Sequence, residues 1–264
     1  MIPVPDIIAW SRKAPWAEER QVEQDLIISR ALVVMFGDPF LAQELRFRGG
    51  TALNKLHLPR PMRYSEDIDV VRTTAGPIGP ILSRIRDVLD PWLGQPKFHQ
   101  SSIAPKFKYA IEGEDKSPLR LKIEINTREK EAYDTVQWRP FKVENRWFSG
   151  NVDIQTFSDE ELLATKLRAL LQRRKGRDLI DLSHALTTCT ALDVQKLVDL
   201  FGRYREATET VISRAQAEQR MFERLADRNF MADVLPLLAI HERDAFGESA
   251  ARTSLPLYST GSFA

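Results

Sequence analysis

The chain has 264 residues, 43% hydrophobic and 28% charged, the composition of an ordinary globular protein large enough for one domain or two small ones. Its 38 Lys and Arg against 37 Asp and Glu leave a net charge of +1, which excludes a uniformly basic nucleic-acid binder and leaves only a local patch for that purpose. A lone cysteine, Cys189, excludes an internal disulfide and a cysteine-based zinc site; it is expected as a small buried apolar side chain, in keeping with a reducing cytoplasm.

The first residues, MIPVPDIIAWSRKAP, carry neither a basic leader nor a long apolar core, so no secretory signal is expected. No run approaches the ~18 apolar residues of a membrane span. From Pro15 to Phe36, Ala17, Val22, Leu26, Ile27, Ala31, Leu32 and Val33 recur near helical spacing and predict an amphipathic helix. A short helix over Pro39–Glu44 then leads into a brief strand, Leu45–Phe47, that ends at Gly49 and Gly50.

The stretch from Phe47 to Val71, FRGGTALNKLHLPRPMRYSEDIDVV, holds the most chemistry. Glycines lack a Cβ, so their N–H groups can come close to a phosphate oxygen, and a helix from Thr51 to Leu58 aims its positive end the same way. Thr51 and Lys55 on that helix join the glycines as candidate nucleotide-binding residues. Pro59 and Pro61 stop the helix and leave a loop carrying Arg60 and Arg63, guanidiniums that suit either a triphosphate or solvent. Asp67 and Asp69, two apart in a strand, share one face while Ile68 takes the other. Two carboxylates so close repel unless a cation lies between them, and Mg2+, which takes oxygen ligands and substrate phosphates, suits the place. Ser65 should share the face of Asp67, where it would contact phosphate or itself accept a nucleotide or phosphoryl group.

A helix over Gly76–Leu93 follows, with an apolar stripe that should cover one face of the sheet. Strand-like segments then span Pro96–Gln100, Lys106–Ile111 and Leu119–Asn126. In the last, Leu119, Leu121, Ile123 and Ile125 alternate with Arg120, Lys122, Glu124 and Asn126. If Asp67 and Asp69 lie on the wet face of the same sheet, Glu124 is the candidate third carboxylate; otherwise it is an exposed residue beside Lys122. The less periodic, Trp- and Phe-rich stretch Trp138–Phe157 completes the sheet, and no ligand role is assigned to Trp138 or Trp147.

Periodicity changes at Ser158, which with Glu161 predicts a capping box for a helix Asp159–Arg174, stopped at Gly176. A second helix runs from Arg177 to Thr187. Lys166 sits on an otherwise apolar helix face with Leu162, Ala169 and Leu170, so it should reach a fixed anion: a nucleotide phosphate, or Asp178 and Asp181. Those aspartates, three apart, face one way, and Arg177 can pair with Asp181 four residues on. Arg168, Arg173, Arg174, Lys175 and Arg177 form the densest basic cluster, which is either a solvated helix end or a patch for an RNA backbone, with Arg173, Arg174, Lys175 and Arg177 the candidate RNA-binding residues. Helices around Val194–Tyr204, Thr208–Leu225 and Asn229–Ile240 complete a helical unit, and the Ser/Thr/Ala-rich remainder has no periodic apolar pattern. The four histidines are scattered, and no histidine metal site is expected.

The glycine pair followed by Asp-x-Asp resembles the nucleotidyltransferase superfamily. More narrowly, GGTALNKLHL…RYSEDIDVV, then Leu-x-x-Lys-x-x-Ala and Arg-Asp-x-x-Asp carried by Lys166, Arg177, Asp178 and Asp181, resembles the AbiEii/AbiGii toxin family, which includes the MenT toxins. That resemblance implies an α+β fold, with a nucleotidyltransferase core over residues 1–157, a helical domain over 158–246 and a loosely ordered tail over 247–264. It implies an Mg2+-dependent enzyme acting from a nucleoside triphosphate onto the tRNA 3′ end, arresting growth, with a separately encoded antitoxin that forms no stable direct complex. The implied machinery is Asp67, Asp69 and Glu124 on metal, with Lys166, Asp178 and Asp181 beside them. A small-molecule acceptor and a non-catalytic nucleotide-binding module are the competing readings.

Overall fold

A computed structural model describes residues 2–207, 213–227, 230, 234–239 and 242. The N-terminal half is a layer of helices on a seven-stranded mixed sheet. Helices α1 (Val4–Trp10), α2 (Glu19–Phe36) and α3 (Pro39–Glu44) lead into β1 (Leu45–Arg48). A four-residue helix, α4 (Gly49–Ala52), widens into a π-turn over Leu53–His57 before β2 (Asp67–Arg72). Helix α5 (Gly79–Leu93) and strands β3 (Lys97–His99), β4 (Lys106–Glu112), β5 (Pro118–Asn126), β6 (Gln137–Glu144) and β7 (Ser149–Thr156) complete this half. The C-terminal helices are α6 (Asp159–Gln172), α7 (Gly176–Thr188), α8 (Val194–Glu206) and α9 (Arg214–Leu225).

The strands lie in the order β3-β4-β5-β2-β1-β7-β6. The β2–β5 and β1–β7 pairs are parallel and the other pairs antiparallel. The alternation read in β5 is observed: Leu119, Leu121, Ile123 and Ile125 are buried with Ile68 and Val70 of β2 against α2 and α5. That apolar layer fixes the register, because a one-residue slip would turn the whole set to water. The opposite face is therefore free for charged side chains, and β2 lies near the middle of it.

Helix α6 packs back on that half. Val71 meets Phe157 and Leu162, while Leu53 and Leu58, after the glycine pair, share an apolar cluster with Leu163, Leu170, Leu182 and Leu197. Cys189, half-buried, joins the same cluster. The turn between β7 and α6 falls where composition changes in the sequence, yet the two halves share side chains across it.

Several expectations change. The capping box is half formed: the Ser158 hydroxyl accepts from the Glu161 N–H, but the Glu161 carboxylate accepts from the N–H groups of Tyr133 and Asp134 and from the Tyr204 hydroxyl. Helix α6 ends at Gln172, and Gly176 opens α7 instead of stopping α6. The helix expected over Thr208–Leu225 is seen over Arg214–Leu225, with 208–212 outside the described residues. Much of Asn229–Ile240 also lies outside them. Within the described residues, Leu235–Leu237 form a 3-10 turn and Leu238 makes a β-bridge to Arg63, so the expected helix does not run through 235–238. The 247–264 tail lies outside the described residues entirely.

Candidate active site

Strand register assembles the acidic half of the site. Asp69 lies opposite Arg48 of β1 on one side and Glu124 of β5 on the other, while Asp67 lies opposite Lys122. All these side chains therefore share the face that the apolar layer leaves free. Burial pushes the Asp69 carboxyl up from its ordinary value, and the nearby charges of Asp67 and Glu124 add to that, against Lys122 and Arg48. A carboxylate raised in this way is short of positive charge.

Lysines supply part of it. Lys122 Nζ is 2.7 Å from Asp67 and 3.6 Å from Glu124, and Lys106 Nζ is 3.0 Å from Glu124. Burial works against the Lys122 charge, but its hydrogen bond to Asp67 and the surrounding carboxylates raise its pKa overall. Among the described residues no group of three or more His, Cys, Asp or Glu side chains is arranged to hold a metal ion. Glu124 lies beside Asp69 as expected, but its carboxylate is held by lysines. Asp67 and Asp69 remain a donor pair suited to a hard cation, which takes one or two carboxylates when substrate phosphates complete its shell.

The glycine pair makes room for the site's own side chains. Gly49 has φ +81°, and a Cβ there would lie 2.6 Å from Asp69 Oδ2; a Cβ on Gly50 would lie 2.5 Å from Arg63 Nη2. Both distances are shorter than real Cβ contacts, so each glycine makes room for a neighbour, and Gly49 is required by its left-handed backbone as well. No side chain caps the start of α4. Thr51 is turned inward: its hydroxyl donates to the Asp67 carbonyl and lies 2.8 Å from the Ser65 hydroxyl. Lys55 leaves the site altogether. Its ammonium is 2.9 Å from Asp25 and 3.0 Å from the Ser29 hydroxyl on α2, and neither Lys55 nor Thr51 lines the cleft that holds Asp67 and Asp69.

The opposite wall is helical and basic. Arg63, 2% exposed, donates two 2.7 Å hydrogen bonds to Asp181. Lys166 bridges Asp181 at 2.7 Å and Asp178 at 3.2 Å, and Arg173 grips Asp178 at 2.7 and 2.9 Å. The network Arg63–Asp181–Lys166–Asp178–Arg173 thus ties the loop before β2 to α6 and α7. Burial opposes both aspartate charges, yet the cations prevail: Asp178 is held below its ordinary pKa and Asp181 is brought down to about 2. Both of Asp181's oxygens are taken by Arg63 and Lys166, and the pairing expected with Arg177 does not form. Behind the wall, Glu129 holds Arg48 at 2.7 Å and Arg168 at 2.5 Å.

Between the two walls lies a cleft of about 270 Å³ lined by Arg48, Arg63, Lys122, Lys166, Arg168, Arg173 and Arg177 together with Asp67, Asp69 and Glu124. Gly49, Gly50 and Ser65 line it too. The cation excess suits a polyphosphate. The expected RNA patch divides: Arg173 and Arg177 line the cleft, whereas Arg174 points outward, 3.8 Å from Asp227, and Lys175 is exposed before α7. Arg60 is exposed and outside the cleft. Sequence reasoning missed Arg48, Lys106 and Lys122, and saw Arg168 only as part of the basic cluster. Lys122 was detectable, since it alternates with Glu124, but Lys106 and Arg168 need the sheet order and the α6 docking to be known.

Two carboxylates at mid-sheet, a glycine turn and a cationic helical wall are the parts of a nucleotidyltransferase. The chain belongs to the family described as "Nucleotidyl transferase AbiEii toxin, Type IV TA system", which matches residues 30–251. It is thus a nucleotidyltransferase toxin of a type IV toxin-antitoxin system, acting from a nucleotide substrate and paired with an antitoxin. The fold is similar to that of MenT4, a nucleotidyltransferase toxin from Mycobacterium tuberculosis H37Rv, with a TM-score of 0.57 and 16% identity over 93% of this chain and 98% of that one. JHP933 from Helicobacter pylori aligns with a TM-score of 0.47 and 16% identity over 91% of this chain and 100% of that one. No curated protein matches. Among the described residues no helix is long and apolar enough to cross a membrane.

Proposed function

We propose that this toxin transfers a nucleoside monophosphate from a nucleoside triphosphate to the 3′ end of tRNA, with Mg2+ held by Asp67 and Asp69. The observation that carries the reading is the pairing of two carboxylates, one with its pKa raised by burial and like charge, with a cleft lined by seven cations, five of them on the facing wall. Mg2+ bound there supplies charge that neutralises the oxygens of the reacting phosphate. Gly49, Gly50 and Ser65 cradle the phosphates on one side, and Arg63, Lys166, Arg173 and Arg177 face them on the other. An ammonium has three donors, and two of Lys166's are fixed by Asp178 and Asp181, so it is held in place for a phosphate oxygen.

The acceptor hydroxyl oxygen bonds to the α-phosphorus as the bond to the β-phosphate breaks and pyrophosphate leaves. Glu124 takes the hydroxyl proton. The tRNA acceptor rests on the resemblance to the toxin family, supported by the basic residues that run from the cleft to the α6–α7 turn. The antitoxin acts without a stable direct complex. The test is incubation with Mg2+ and each α-labelled nucleoside triphosphate, offering total tRNA or small hydroxylated acceptors. Label on tRNA that is lost in Asp69→Ala or with EDTA supports the reading. Label found only on small acceptors would contradict it.

A further inference from the structure

We propose that Lys122 is the site's internal counter-cation: it neutralises Asp67 while no metal is bound, and moves to the triphosphate when metal and nucleotide arrive together. The inference rests on the reading of Asp67 and Asp69 as the metal pair. Lys122 lies directly across the parallel β2–β5 pair from Asp67, with its ammonium 2.7 Å from Oδ2 and 3.6 Å from Glu124. Lys106, one strand further out and opposite Glu124, holds that carboxylate at 3.0 Å. Lys122 thus sits on one of the two carboxylates that a divalent cation would use, and Lys106 on the carboxylate beside them.

Three carboxylates on one sheet face would repel one another, and a bonded ammonium relieves that repulsion while the site waits for substrate. The relief has a cost for metal binding. A bare divalent cation must displace the ammonium from Asp67 and leave it in a half-buried cleft with only the longer contact to Glu124, a carboxylate that Lys106 already holds. A triphosphate entering with the metal gives Lys122 a new anion within the same cleft. Lys122 therefore couples the two ligands, disfavouring metal alone and favouring metal with nucleotide. A coupling of this kind is reciprocal and commonly amounts to roughly 5- to 150-fold in affinity. Lys122 is a positioning residue toward Asp67 and a binding residue toward phosphate.

The experiment titrates Mn2+ into the full chain and follows free Mn2+ by electron paramagnetic resonance. It is run with and without the α,β-methylene analogues of ATP, CTP, GTP and UTP, each tested singly. Wild type is expected to bind Mn2+ weakly alone and at least about fivefold more tightly with the analogue it accepts. Lys122→Met, which keeps the aliphatic stem, should bind bare Mn2+ more tightly than wild type and lose most of the gain from the analogue. Lys122→Arg should keep the coupling, and Lys122→Gln replaces the methionine variant if that does not melt cooperatively. A lysine that merely stabilised the sheet would not raise metal affinity when removed. Bare Mn2+ bound equally or less tightly by Lys122→Met overturns the proposal. If wild type with every analogue shows no Mn2+ binding that Asp69→Asn abolishes, the metal-pair reading itself is overturned, an outcome separate from the first.

Discussion

Gly50 shows how closely the site is fitted. Its missing Cβ leaves space for the Arg63 guanidinium, which in turn holds Asp181, so a methyl group at Gly50 must push apart a fully engaged buried ion pair. Gly50→Ala is expected to lower the melting temperature and cut transfer activity at least about tenfold, because displaced catalytic geometry is costly. Retention of full activity would show that Arg63 can relax. The sequence identified this glycine pair for its approach to phosphate, and that much is legible from residue type alone. The second reason, room for Asp69 and Arg63, depends on which side chains the fold brings alongside, and no local pattern records it. Lys55 makes the same point in reverse. As a cation just after the glycines it fits a phosphate role by position, yet its partner Asp25 lies thirty residues earlier on α2.

Among the elements, α6 and α7 are joined to the loop before β2 by the buried Arg63–Asp181–Lys166–Asp178–Arg173 network. The sequence placed Lys166 and both aspartates together, because helical spacing puts them on facing sides of a helix pair. It offered Asp181 either Lys166 or Arg177 four residues away, whereas the structure joins it to Lys166 and to Arg63, whose bidentate fork and complete burial outweigh a local pair. Asp181→Asn removes one charge from between two buried cations and should cost about 3–5 kcal/mol of unfolding free energy, measured by denaturant titration. A loss below about 1 kcal/mol would mean that water or rearrangement compensates.

The same network sets an acid limit. Asp178 and Asp181 are more acidic folded than unfolded, so their contribution to stability is complete above the ordinary carboxylate range and falls away as pH drops from about 4 toward about 2. For Asp181 alone a shift of this size corresponds to about 2 kcal/mol, seen as a slope in unfolding free energy across that window. Asp181→Asn should flatten the slope, and an unchanged slope would assign acid sensitivity to other carboxylates.

At the scale of the whole molecule, the sheet carries Asp67, Asp69 and Glu124 and the helices carry Lys166, Arg168, Arg173 and Arg177, and only their docking through Leu53, Leu58, Leu163 and Leu170 makes a site of the two. Alternation in β5 made the acidic wall legible, since buried Ile123 and Ile125 leave Glu124 no other face. The basic wall was legible only as a cluster of charges. Its division into cleft-facing Arg173 and Arg177 and outward Arg174 depends on where α6 ends and α7 begins, which Gly176 at the start of α7 decides. If tRNA runs over this turn into the cleft, its affinity should fall with salt. Arg177→Ala should weaken binding and reduce the slope of log affinity against log salt by roughly one. An unchanged slope would place the RNA track elsewhere.

Intact-mass spectrometry of tRNA after incubation with Mg2+ and the four nucleoside triphosphates decides whether Asp67 and Asp69 direct nucleotide transfer onto the tRNA end. Wild type is expected to yield tRNA heavier by one or more nucleoside monophosphates, and an Asp69→Asn protein that melts as wild type does is expected to leave tRNA unchanged. Unmodified tRNA with active wild type, or modification that persists in Asp69→Asn, would contradict that role.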